Sequence, residues 1–208
     1  MQTTRCKFFE LLLIFVLIPI SFAFDYSPIL KLIIGLLGFT YITYVLFKVE
    51  KIKFRIEKNI NWKHFWTTTL IKFLIIALIT TSFVWFTDKE NLFTVMLNKP
   101  GLWILILLFY TFFSVYPQEL LYRTFFFKRY QNLFKNESLF ILVNALLFSA
   151  AHLMFRNTLV LFLTFIGGIL FAITYNKTKS TLLVSIEHSI YGCWLFTVGM
   201  GNMLGFPS

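Results

Sequence analysis

The chain has 208 residues, 58% of them hydrophobic and 13% charged, and a mean hydropathy of +0.77; an ordinary soluble domain carries about 25% charged residues. A water-soluble fold of this length has no room to hide so much apolar surface, and the 28 phenylalanines are residues that lipid favours. A net charge of +10 would suggest a nucleic-acid partner in a soluble protein, but here Lys and Arg fall between apolar runs instead of forming one patch. They read as topology signals, and no nucleic-acid ligand is expected.

An apolar helix needs about 20 residues to cross the hydrocarbon core. Seven runs meet or approach that length: Phe8 to Phe24, Ile29 to Phe47, Thr67 to Thr87, Leu102 to Phe127, Leu139 to Phe155, Thr158 to Tyr175 and Thr181 to Met200. The expected fold is an all-α membrane protein, a bundle of about seven transmembrane helices. The first run also fits a secretory leader, because Arg5 and Lys7 precede it and Ser21-Phe22-Ala23 has the small-x-small form of a cleavage site. Between the second and third runs lies the longest polar stretch, Lys48 to Trp66. Its alternating Lys51-Ile52-Lys53-Phe54-Arg55-Ile56 fits a solvated basic loop, or a segment lying on anionic lipid. Cys6 and Cys193 lie at opposite ends of the chain without paired spacing, so neither a disulfide framework nor a zinc knuckle is expected.

Cytoplasmic loops retain basic residues during insertion. One side of the alternation collects Arg5, Lys7, Lys48, Lys51, Lys53, Arg55, Lys58, Lys63, Lys128, Arg129, Lys135, Lys177 and Lys179. The other side has Lys31, Lys89, Lys99 and Arg156. This asymmetry places the N-terminus in the cytoplasm and, with seven spans, the C-terminus outside.

Ionisable side chains within a span cost at least ~2.5 kcal/mol on insertion scales and so ask for a reason. The first three spans read as ordinary membrane wall, and the polar groups cluster in the last four. The fourth holds Gln118, Glu119 and Arg123, the last two sharing a helical face. The fifth has Asn144 and, two turns on, His152; the seventh has Glu187 and His188. Glu119 and Arg123 alone would make a self-neutralising ion pair, and a single membrane histidine is usually a packed interhelical contact. Three such sites on three helices supply a carboxylate, two imidazoles, an amide and a guanidinium, an inventory suited to activating water or holding a metal. Glu119 lies nine residues before Lys128, about 13 Å inside the boundary at the helical rise. Pro117 removes a backbone bond just before this pair and predicts a kink or a new segment. In the sixth span Gly167-Gly168, flanked by Thr164 and Ala172, predicts a close helix approach.

Gln118-Glu119-x-x-x-Arg123, Phe148-x-x-x-His152 and His188-x-x-x-Gly192 together resemble the CPBP family of intramembrane endopeptidases, which includes type II CAAX prenyl proteases and bacteriocin-processing and immunity proteins. The family pattern is Glu-Glu-x-x-x-Arg, Phe-x-x-x-His and His-x-x-x-Asn or Asp on successive membrane helices. The resemblance divides a single membrane domain into an N-terminal part, residues 1–100, with the basic cytoplasmic loop, and a protease-like part, residues 101–200. Two positions depart from the pattern: Gln118 replaces the leading glutamate, taken in the family to activate water, and Gly192 replaces the final amide or acid.

The resemblance implies cleavage of a membrane-tethered peptide or lipidated protein near the cytoplasmic face of a bacterial cell membrane. Glu119 would be the general base and Arg123 would fix its carboxylate. His152 and His188 would orient water or, with Glu119, hold a divalent metal such as zinc. Asn144 or Glu187 would replace the polar group lost at Gly192. The departures favour an alternative, a catalytically impaired member acting as a membrane partner-binding or immunity protein. A small transporter using the same charges as a proton relay is a third class, but the chain lacks the repeated halves that such folds show.

Overall fold

The computed structural model describes residues 3–52 and 60–205. The segment from Lys51 to Ile56, read above as a basic loop or surface-lying stretch, falls largely outside them. No strand occurs among the described residues. Among the described residues seven long helices appear in the predicted order: α1 (4–21), α2 (Pro28–Val49), α3 (Trp62–Thr87), α4 (Pro100–Leu133), α5 (Glu137–Ala150), α6 (Thr158–Thr178) and α7 (Thr181–Val198). Six of the spans are long and apolar enough to cross a membrane, that of α5 counted through its 3-10 turn to Phe155. The remaining helix, α1, carries Arg5, Lys7 and Glu10 in its first turns, so its apolar part is shorter than the helix. The molecule is a multi-pass, all-α membrane protein.

Helix starts follow local chemistry. Asn61, Asn136, Asn157 and Ser180 each accept a hydrogen bond from a backbone N–H in the first turn of α3, α5, α6 and α7, which satisfies donors that lipid could not. Pro28 and Pro100 occupy first helical positions, where a missing N–H costs nothing. Within the spans, the hydroxyls of Thr40, Thr43, Thr80 and Thr164 donate to the carbonyl four residues back, so these threonines carry no unmet donor into hydrocarbon. The outward faces are apolar: Leu78, Phe86 and Phe113 are 71%, 84% and 71% exposed, exposures that only a lipid solvent makes favourable.

Two compact units are distinguished: Met1–Ile56 with Glu119–Lys179, and Glu57–Gln118 with Ser180–Ser208. The first contains α1, α2, the second half of α4, α5 and α6. Its core is aromatic. Phe15 is fully buried and its ring lies 5.1 to 6.2 Å from those of Tyr122, Phe125, Phe126 and Tyr130, so α1 is part of the core of this unit. At one end Arg129 binds Glu10 through two nitrogens, Nε to Oε1 at 2.8 Å and Nη2 to Oε2 at 2.9 Å, and reaches Glu50 at 2.8 Å through Nη1. Tyr130 and Tyr41 each donate a hydroxyl to Glu10 at 2.8 Å. At the other end, Arg156 binds the Ala23 carbonyl and, at 2.6 Å, the Asp25 carboxylate. These two ends agree with the alternation of basic residues along the sequence.

The hydrogen bond and charge of Arg156 hold the Asp25 carboxyl below the usual aspartate range. A carboxylate with a lowered folded-state value stabilises the fold above its ordinary, unfolded value and loses that contribution as pH falls through the folded one. Asp25→Asn is therefore expected to flatten the acid limb of a plot of melting temperature against pH, with little change at neutral pH because the pair is exposed. An unchanged acid limb would mean that this pair does not contribute.

α5 and α6 are the most extensively packed helix pair in this unit. A Cβ on Gly168 would meet the Ala145 backbone at 3.0 Å and its side chain at 3.2 Å, whereas one on Gly167 would meet only the edge of Phe171. The predicted close approach is present, and Gly168 makes it. Gly168→Val is expected to lower stability by about 1–3 kcal/mol through overpacking, and Gly167→Ala to be tolerated. Equal melting temperatures for both variants in detergent would refute that distinction.

The second unit contains α3, the short helix Thr94–Asn98, the first half of α4, and α7. Val95, Ile106, Tyr110, Val115 and Phe196 form its buried cluster. Indole nitrogens tie its helices: Trp103 donates to Thr197 at 3.0 Å, and Trp194 to Thr80 at 2.9 Å. Cys6 and Cys193 are both free thiols.

Candidate active site

α4 is not a uniform α-helix. π-helical turns at Tyr110–Val115 and Leu120–Phe125 bracket a single α-turn, Tyr116–Glu119. Pro117, predicted to kink or interrupt the span, sits in that α-turn. The wider turn before it accommodates the missing N–H while the helix runs on. π-turns shift side chains around the helix axis, and here they lie on both sides of the polar motif.

In the first unit Glu119 and Arg123 are both fully buried, with Arg123 Nε 3.3 Å from Glu119 Oε2. The guanidinium carbon stands 4.5 Å from the centre of the Phe148 ring and 5.7 Å from that of Phe171, cation–π contacts strengthened by the exclusion of water. The His152 ring packs against the same phenylalanine, 4.9 Å between centres. Arg123 and His152 therefore meet through a shared contact with Phe148, and Glu119 is joined to them through Arg123.

His152 lies just past the end of α5, in the turn before a 3-10 segment, and is partly exposed. Its Nδ1 is 2.8 Å from the Phe148 carbonyl. A carbonyl can only accept, so Nδ1 carries the proton and the basic lone pair of the neutral ring is on Nε2. Asn144 is fully buried and donates to the Tyr122 carbonyl at 2.7 Å. This bond joins α5 to the second π-turn and satisfies a carbonyl there; Asn144 Oδ1 has no hydrogen-bond partner among the described residues. The half-buried Gln118, assigned to the second unit, donates its amide to Ser114 at 2.8 Å, while its own buried Oε1 has no hydrogen-bond partner among the described residues.

The second unit holds the remaining predicted residues. His188 is buried and its Nε2 lies 3.1 Å from the Tyr110 hydroxyl. Glu187, one position away on α7, faces a different neighbour: Oε1 pairs with Lys72 at 2.8 Å and accepts the Tyr191 hydroxyl at 2.9 Å. Lys72 lies in α3, so the third span is not plain membrane wall. A lone lysine in an apolar run carried no partner in the local sequence, and Glu187 is 115 positions away. Tyr110 was missed for the same reason.

Within neither unit do three His, Cys, Asp or Glu side chains come together as a metal ligand set among the described residues.

A family model described as Rce1-like, the type II CAAX prenyl endopeptidase, matches residues 100–194. The matched stretch contains Gln118, Glu119, Arg123, His152, His188 and Gly192. No curated protein matches the chain, and no solved structure does.

Proposed function

Because residues 100–194 match a model described as Rce1-like, the type II CAAX prenyl endopeptidase, we propose that the chain hydrolyses a peptide bond in a membrane-tethered peptide or protein, with Glu119 as the general base. The observation that carries this reading is the chain of contacts from Glu119 to Arg123, from Arg123 to the Phe148 ring, and from that ring to His152. In the proposed reaction Glu119 takes a proton from water as the water oxygen bonds to the scissile carbonyl carbon. His152 orients that water through Nε2, and Arg123 holds the carboxylate in place. The proton then passes from Glu119 to the departing nitrogen as the C–N bond breaks, leaving a carboxylic acid and an amine. The proposed setting is a bacterial cell membrane, and a lipidated C-terminus is one member of the substrate class.

A second reading, a catalytically impaired member that binds a membrane partner, has its own support. Glutamine cannot accept a proton, and Gln118 is engaged by Ser114. One experiment separates the two. Purified protein in lipid nanodiscs is offered a library of membrane-anchored peptides, and wild type is compared with His152→Ala and Gln118→Glu. The protease reading expects cleavage by wild type and a loss of about 10²-fold or more in His152→Ala. Cleavage by Gln118→Glu alone would sink it and establish the impaired reading.

A further inference from the structure

His188 has no polar side chain one turn on, because position 192 is glycine. That space is nevertheless filled. A Cβ built on Gly192 would fall inside the hydroxyl and ring edge of Tyr110, so the absence of a side chain on α7 is what admits the tyrosine from α4. The Tyr110 hydroxyl then meets His188 Nε2 at 3.1 Å, and the two rings stand edge to face with centres 6.0 Å apart. On its other side, the Tyr110 ring packs against Phe196 at 4.8 Å. The ring thus has little freedom to swing away. Tyr110 also opens the first π-turn of α4, and such turns change the direction in which a side chain leaves its helix.

We propose that Tyr110 is a positioning residue for His188. Its hydroxyl fixes the orientation and tautomer of the imidazole, supplying from α4 the polar partner that a side chain at position 192 would supply from α7. The proposal rests on the endopeptidase reading for its catalytic consequence, whereas the hydrogen bond itself does not depend on that reading. Losing the hydrogen-bond partner of a metal-bound histidine typically costs about 10- to 100-fold, and a loss of that order is expected for His188. The loss here belongs in kcat and not in KM, because Tyr110 acts through His188.

Two readouts test this. The chain has three histidines, His64, His152 and His188, so 15N-histidine labelling in nanodiscs gives a spectrum that single substitutions can assign. Tyr110→Phe keeps the ring and the packing against Phe196 but removes the hydroxyl. The expected result is a changed His188 tautomer or Nε2 shift, unchanged His64 and His152 signals, and a kcat lowered about 10- to 100-fold. An unmoved His188 signal overturns the proposal, even if activity falls. Rescue gives the second readout: Tyr110→Ala/Gly192→Asn should exceed Tyr110→Ala alone in kcat, because the asparagine enters the vacated space. Equal activity of those two variants overturns the shared role. If wild type cleaves nothing but the His188 signal still moves in Tyr110→Phe, the endopeptidase reading fails and the positioning bond is supported.

Discussion

Glu119→Gln is expected to lower peptide cleavage by about 10²–10⁴-fold, the usual contribution of a general base. Glutamine keeps nearly the same shape and can still accept a hydrogen bond from Arg123, but it cannot take a proton from water. The variant also removes one charge from a fully buried pair, and stranding a buried cation typically costs about 3–5 kcal/mol. Here the guanidinium retains the faces of Phe148 and Phe171, which moderates that penalty. A companion variant, Glu119→Gln/Arg123→Met, removes both charges and is expected to recover stability without recovering cleavage. Measuring kcat/KM alongside the melting temperature separates the two effects. Full activity in Glu119→Gln would remove Glu119 from the chemistry and return attention to Gln118.

Arg129→Met should destabilise the fold by about 3–5 kcal/mol, the range for breaking a buried ion pair by removing one partner. The Arg129 side chain is 2% exposed and its partner Glu10 7%. Three guanidinium nitrogens reach two carboxylates on α1 and at the end of α2, and Tyr41 and Tyr130 also bind Glu10. Methionine fills part of the volume and leaves Glu10 and Glu50 without their cation. Arg129→Lys should recover only part of the loss, because an ammonium cannot make the two-point contact with Glu10. Denaturant titration in detergent would measure both. A change in Arg129→Met within about 0.5 kcal/mol, the range of ordinary surface substitutions, would show that the network contributes little.

Arg129 illustrates how far the sequence could be read. Beside Lys128 and before Lys135 it counts as one more cytoplasmic charge, and it does lie at the end of the unit where that count places it. Its burial and its hold on Glu10, 119 positions earlier, have no local signature. Arg123 is the opposite case. Its partner lies four residues away, within the same pair of turns, and the pairing follows from helical spacing alone. His152 was legible through its motif, but its tautomer depends on a carbonyl that only the folded turn brings to Nδ1. Gly192 reads in the sequence as a loss, while in the fold it is the opening that Tyr110 occupies.

Hydropathy, length and charge act locally along the chain, so the solvent, the order and type of the spans, and the residues that lipid would reject can all be read from the residues in order. The partners that lie far apart along the chain follow instead from how the helices pack. Lys72 meets Glu187 and Tyr110 meets His188 across 115 and 78 positions. The physical reason is that a buried polar group must be satisfied by whatever packing brings beside it, and packing between helices leaves no mark on the periodicity of any one of them.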